Sequence, residues 1–216
     1  MIELYTGFVG SGKSYCATKL GLASADPKLG KKTVIANYPI KPKKKLLSFF
    51  KKNKYNQPRW IYKSNEKLTV KFLVELSKKN GWLNKESQAL LIFDEASIKF
   101  NSRTYYDKDR LDWINFLRQS RKLGYDVIFI TQDRASIDKQ IRHLCEFELV
   151  HKKLNNMFIL SWLNLFRISV FAQVKYWNGI NIRQSKGQLK LFIYNKRIAN
   201  RYDTMKIFDE IVSSSG

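Results

Sequence analysis

A chain of 216 residues with 44% hydrophobic content is long enough to bury a full α/β core. One domain with appendages is the simplest count, because no internal repeat or low-complexity tract is present. Its 40 Lys and Arg against 18 Asp and Glu leave a formal charge of +22, which argues against an ordinary metabolic enzyme. The partner it suggests is polyanionic, either nucleic acid or an anionic membrane surface, with a solvated basic face as the plain alternative.

Residues 1–14 join a short apolar strand, carried by Ile2, Leu4 and Tyr5, directly to a glycine-rich turn. There is no basic stretch followed by an apolar one, so this start does not read as a cleaved signal. Gly7, Gly12, Lys13 and Ser14 stand at the spacing G-x-x-x-x-G-K-[ST]. That pattern wraps backbone N–H groups around an anionic phosphate while glycines take the tight turns. The nucleotide-binding set is therefore Gly7, Phe8, Val9, Gly10, Ser11, Gly12, Lys13, Ser14 and Tyr15. Lys13 reaches the β- and γ-phosphates, and Ser14 offers a hydroxyl to Mg²⁺. A helix over 15–25 adds its positive end. Cys16 on this helix and the distant Cys145 have no metal-ligand spacing, which fits a reducing compartment.

A second strand over 32–38 stops at Pro39. Residues 41–54 carry seven lysines around Leu46, Leu47, Phe49 and Phe50. That segment, within a basic insertion over 41–64, suits an anionic bilayer, a nucleic-acid path or a solvated loop. A strand over 59–63 and a helix over 66–80, with Leu68, Phe72, Leu73 and Leu76 at helical spacing and Gly81 as its stop, come next.

The run 89–95 is a continuous apolar strand that delivers Asp94 and Glu95 at its end, as strands of a buried parallel sheet do. Asp94 fits the Walker B role of holding Mg²⁺, and Glu95 fits the base that activates water. A helix over 107–123 bears Arg118 and Arg121 and feeds a buried strand over 126–132. Gln132, at its end, is placed to sense a γ-phosphate or, alternatively, to cap a turn. A short helix over 137–144 carries Arg142, and strand returns over 148–152.

Residues 158–208 read as β-hairpins with a turn at Asn178 and Gly179. The apolar run 157–174 is broken by Asn164, Arg167 and Gln173. An Arg near the middle of a span costs roughly 2.5–3.5 kcal/mol on insertion scales, so the run reads as two strands, not a membrane helix. Trp162, Phe171, Tyr176, Trp177, Phe192 and Tyr194, interleaved with Lys175, Arg183, Lys186 and Lys190, form either a stacking platform for single-stranded nucleic acid or ordinary packing. His143 and His151 are too isolated for a metal or a triad.

The expectation is an α/β P-loop NTPase with a mainly parallel sheet flanked by helices. Its core spans 1–152, and a β-rich extension over 153–216 packs on it. The loop over 7–14, Asn37-Tyr38-Pro39, the block over 90–97, and above all the block over 116–132 followed by Ser136–Arg142 resemble the Zot-type (zonular occludens toxin-like) proteins, the morphogenesis ATPases of filamentous phage. The resemblance covers 1–150 closely. Beyond that it is looser, through Tyr194-Asn195-Lys196 and the block over 199–203.

The resemblance implies an ATP- and Mg²⁺-dependent motor on the cytoplasmic side of the host bacterial inner membrane. Such a motor extrudes phage single-stranded DNA and assembles coat proteins around it. It implies a ring homo-oligomer in which an arginine reaches the neighbouring subunit's site. Arg103, Arg118, Arg121 and Arg142 are the candidates; Arg118 and Arg121 are preferred because they precede the Gln132 strand on one helical face. Partners implied are the homo-oligomer, phage coat and assembly proteins, the inner-membrane surface and single-stranded DNA. Family members usually carry a transmembrane helix and a further domain after the ATPase part, and neither is present in these residues. The expectation is an excised cytosolic domain or a short variant. Two other readings stay open: a basic adaptor that binds nucleotide without turnover while docking coat protein, DNA or membrane, and a small-molecule phosphotransferase.

Overall fold

The computed structural model describes residues 1–41, 59–102, 109–156, 169–178 and 187–202. Three apolar runs become the centre of the sheet: β1 (Ile2–Thr6), β4 (Ala89–Phe93) and β5 (Tyr125–Ile130), each buried along its whole length. Continuous apolar strands of this kind are stable only where both faces are covered. Side-chain alternation then divides each strand between two cores. Ala89, Leu91, Phe93, Tyr125, Val127 and Phe129 face the core that holds Leu73, Trp113, Ile114, Leu117 and Ile141. Leu90, Ile92, Ile128 and Ile130 face the other core, with Ala17, Ala25 and Val34.

The sheet has eight strands in the order β3-β2-β4-β5-β1-β6-β7-β8, with β2 (Thr33–Ala36), β3 (Trp60–Tyr62), β6 (Phe147–Lys153), β7 (Val170–Trp177) and β8 (Gln188–Ile193). Pairing is parallel from β3 through β6 and antiparallel for β6-β7 and β7-β8. The segment after β6 therefore extends the sheet at the β6 edge. Helix α1 (Lys13–Ser24) lies on one face. Helices α2 (Val70–Lys79), α3 (Asp109–Arg118) and α4 (Lys139–Leu144) lie on the other.

Several boundaries move for local reasons. Helix α2 begins at Val70 because the Thr69 hydroxyl accepts the Phe72 N–H at 3.3 Å and caps it. Helix α4 begins after Asp138, which accepts from the Gln140 and Ile141 N–H groups. Helix α3 ends at Arg118 rather than 123; the chain then turns to Gly124, whose φ of +85° brings it into β5 and whose Cβ would meet Trp82. Strand β5 ends at Ile130, so Thr131 and Gln132 lie beyond it. The stretch expected to stay β to residue 208 instead forms a short helix α5 (Lys196–Ala199), capped by the Asn195 side chain. The basic stretch over 42–58, Arg103, and the strand expected over 158–165 lie outside the described residues. Among the described residues, no helix is long and apolar enough to cross a membrane.

Candidate functional site

The C-terminal ends of β1, β4 and β5 are adjacent in the sheet, and the loops leaving them meet at one place. Such strand ends are where ligands gather in α/β sheets. From β1 the chain enters the glycine loop, with φ of +137°, +74° and +91° at Gly7, Gly10 and Gly12. Gly7 lies against the His151 carbonyl, and a Cβ on Gly12 would sit 2.9 Å from the Phe171 ring. At both positions the glycine supplies the left-handed conformation and the clearance together. The first helical hydrogen bond of α1 runs from the Cys16 N–H to the Gly12 carbonyl at 2.9 Å. The N–H groups of Lys13, Ser14 and Tyr15 precede it and point out of the helix end, with no side-chain cap on Gly12. The Ser11 hydroxyl is buried in this loop without a hydrogen-bond partner.

Lys13 folds back over its own loop, its ammonium donating to the carbonyls of Gly7 at 2.7 Å and Phe8 at 3.0 Å. Burial pulls its pKa below the usual lysine range, against the attraction of Glu95 and Asp94. The Ser14 hydroxyl donates to Asp94 Oδ1 at 3.0 Å, across 80 residues of chain. Asp94 is 2% exposed, and burial pushes its carboxyl up to about 6 despite that hydrogen bond. The Ser14 hydroxyl and Asp94 carboxylate form an all-oxygen donor pair, the chemistry that a small hard cation such as Mg²⁺ takes.

Glu95 comes next in the left-handed region, φ 45° and ψ 52°, which aims its carboxylate at Gln132, whose Nε2 donates to Oε1 at 3.5 Å. The Gly7 N–H donates to the Gln132 carbonyl at 3.4 Å, joining the phosphate loop to the turn after β5. Lys13, Ser14, Asp94, Glu95 and Gln132 thus come together. Phe8 and Val9, at the loop's tip, are 88% and 79% exposed. Tyr15 turns away into a buried aromatic group with Phe171 and Phe192, its hydroxyl accepting from the Asn195 N–H at 2.9 Å. Phe171 and Phe192 are consequently packing against the loop helix, not a stacking platform, because their faces are already covered. Among the described residues no group of three or more His, Cys, Asp and Glu could hold a metal.

Of the candidate arginines among the described residues, Arg118, Arg121 and Arg142 are not brought to this place. Helix α3 leads back toward the start of β5, so Arg118 at its end and Arg121 beyond it lie toward the N-terminal ends of the strands, opposite the loops of the site. There Arg121 pairs at 3.8 Å with Glu146, which also faces the Met1 amino group. Arg142 donates to the Arg134 carbonyl at 3.2 Å.

Two side chains that were given no role in the site from the sequence organise it. Asn37, at the end of β2, bonds both backbone groups of Asp94. Glu148, on β6, accepts from the Thr6 hydroxyl at 2.9 Å and from Arg134 at 2.6 Å, tying the root of the phosphate loop to the segment after Gln132. Arg134 also donates to Asn178, which in turn bonds the carbonyls of Arg142 and Cys145. The available signal was a polar residue closing or entering a buried strand. Its partners are 57 and 142 positions away for these two, beyond any periodicity.

A family model described as Zonular occludens toxin (Zot) matches residues 1–210. The Gene 1 protein of Salmonella phage IKe is 30% identical over 219 aligned positions, covering 96% of this chain and 57% of that protein. The chain spans about half the length of the curated relatives it matches. Among solved structures, the N-terminal domain of zonular occludens toxin from Neisseria meningitidis is similar with a TM-score of 0.57 at 18% identity, over 94% of this chain and 98% of that one. The genome packaging NTPase B204 from Sulfolobus turreted icosahedral virus 2, solved with ATP-gammaS, is similar with a TM-score of 0.50 at 14% identity, over 88% and 95%. At these identities the structural likeness is one of fold, and the fold is that of a P-loop NTPase.

Proposed function

The chain belongs to the Zot family, and from that premise we propose that it is an ATP-hydrolysing motor for filamentous-phage assembly, driving extrusion of phage single-stranded DNA at the cytoplasmic side of the host inner membrane. The observation that carries the reading is the meeting of Lys13, Ser14, Asp94, Glu95 and Gln132 at three adjacent strand ends, with Ser14 and Asp94 in direct contact at 3.0 Å.

In this reading, the N–H groups of the loop and of the α1 end bind the phosphates. Lys13 exchanges its two loop carbonyls for phosphate oxygens. Ser14 and Asp94 would hold Mg²⁺, which would supply charge neutralisation for the phosphates when bound. Glu95 accepts a proton from the attacking water, and Gln132, hydrogen-bonded to Glu95, reports the γ-phosphate to the β5 end. The segment over 1–152 is the ATPase core and 153–216 the extension.

A ring homo-oligomer would let a neighbouring subunit contribute an arginine to this site. Its contacts are heterologous, so a different face of the neighbour meets the phosphate loop. An arginine far from its own site, as Arg118 and Arg121 are, suits that arrangement, and Arg142 is the third candidate. The charge of +22 supports contact with DNA phosphates or anionic lipid, with phage coat and assembly proteins as the further partners.

The test is Glu95→Gln with wild-type protein alongside. The variant is expected to bind ATP normally and hydrolyse it on the order of 10²-fold more slowly or worse, the range seen when a positioned base is lost. Hydrolysis by the variant at the wild-type rate refutes the role of Glu95. Nucleotide binding by wild type with no turnover, even with DNA and liposomes present, refutes the motor and leaves the adaptor.

A further inference from the structure

We propose that Asn37 is the positioning residue of the metal-binding carboxylate: its carboxamide locks the Asp94 backbone so that the Asp94 side chain is held beneath Ser14. The inference rests on the reading of Ser14 and Asp94 as the Mg²⁺ site.

Strand β2 runs beside β4 in register Ala36 to Ile92, and β4 ends one residue later, at Phe93. Asn37, 2% exposed, stands where the next ladder step would be. Its Nδ2 donates to the Asp94 carbonyl at 2.7 Å and its Oδ1 accepts the Asp94 N–H at 2.7 Å. One side chain thus satisfies both backbone groups of Asp94 as a neighbouring strand would. The second Nδ2 hydrogen goes to Asn65 Oδ1 at 2.9 Å, and the Asn65 carbonyl accepts from Lys99 Nζ at 2.6 Å. The segments after β2, β3 and β4 are joined through this one carboxamide.

The backbone of the next residue makes the lock necessary. Glu95 sits at φ 45°, a left-handed conformation that is unfavourable for a side-chain-bearing residue and persists only where its surroundings over-determine it. With Asp94 fixed on both backbone groups, that turn is imposed. The Asp94 carboxylate stays on Ser14, and Glu95 stays on Gln132. Asparagine is the side chain of this length with both a donor and an acceptor. Aspartate would present a second acceptor to the Asp94 carbonyl, and leucine would fill the space with neither group.

The experiment titrates Mg²⁺ against a fluorescent ATP analogue bound to wild type and Asn37→Leu, with matching titrations in EDTA. Loss of an outer-shell partner typically weakens a metal site 10–100-fold. Asn37→Leu is therefore expected to raise the half-saturating Mg²⁺ by about tenfold or more while leaving affinity in EDTA within about twofold. Its steady-state profile is expected to show a lowered kcat at little-changed KM. A general packing defect would move the EDTA affinity as well. If Asn37→Leu does not fold, Asn65→Ala replaces it. That change removes only the acceptor that orients the Asn37 amide and is expected to weaken the Mg²⁺ response by about threefold, one hydrogen bond's worth. A folded Asn37→Leu, or failing that Asn65→Ala, with a wild-type Mg²⁺ response overturns the inference. Wild-type protein whose nucleotide affinity ignores Mg²⁺ overturns the metal-site reading beneath it instead.

Discussion

Replacing Asp94 by Asn separates the electrostatic cost of the site from its use. In the wild type the carboxyl is buried, and desolvation raises its pKa from 3.8 to about 6. At about 1.4 kcal/mol per pKa unit, the native state without metal carries about 3 kcal/mol of destabilisation whenever the pH is above 6. Asparagine keeps the Oδ1 that accepts from Ser14 and from the Glu95 N–H at 3.1 Å, and it removes the charge. Asp94→Asn is therefore expected to unfold later in urea than wild type at pH 7.5 in EDTA, by roughly 1–3 kcal/mol, monitored by the fluorescence of the five tryptophans. The sign with pH comes from the raised value. The folded state takes up the proton first, so the wild type is relatively most stable below 4, and that advantage is lost as pH rises to about 6. The gap between variant and wild type should shrink toward zero near pH 4. Adding Mg²⁺ and ATP should stabilise the wild type and not the variant. An Asp94→Asn protein no more stable than wild type at pH 7.5, or a gap that persists at pH 4, refutes the assignment of a strained buried carboxylate.

Further changes test the supports around the site. Gly12→Ala places a Cβ 2.9 Å from the Phe171 ring at a φ of +91°; it is expected to cost about 1–3 kcal/mol in urea unfolding and to weaken ATP binding. Adding Phe171→Leu should recover the part due to the ring and leave the part due to φ. Arg134→Ala leaves the buried Glu148 carboxylate with only Thr6. A loss of about 2–3 kcal/mol is expected, with most of it returned by adding Glu148→Gln; a strictly additive double variant would show that the pair does not act together.

The strands and the candidate site residues of this chain were legible because they are local. The apolar runs that become β1, β4 and β5 admit little besides buried parallel strands, and the glycine loop needs its eight residues in one order because backbone N–H groups must wrap a phosphate. Asp94 and Glu95 were legible by their place at the end of such a run, and Gln132 likewise. The family resemblance was legible in the block over 116–132 for the same reason, since it is contiguous.

What the tertiary structure alone decided is everything that depends on which strand lies next to which. Ser14 meets Asp94 across 80 positions because β4 and β1 flank β5. Asn37 grips Asp94 because β2 lies beside β4, and Glu148 grips Thr6 because β6 lies beside β1. Phe171 and Phe192, open in the sequence to either packing or nucleic-acid stacking, are buried against Tyr15 because β7 and β8 extend the sheet under the loop helix. Arg118 and Arg121 sit toward the N-terminal ends of the strands because α3 must return the chain to the start of a parallel strand. Periodicity reports a residue's own face. Strand order, set by burial of the whole sheet at once, determines the neighbours it meets there.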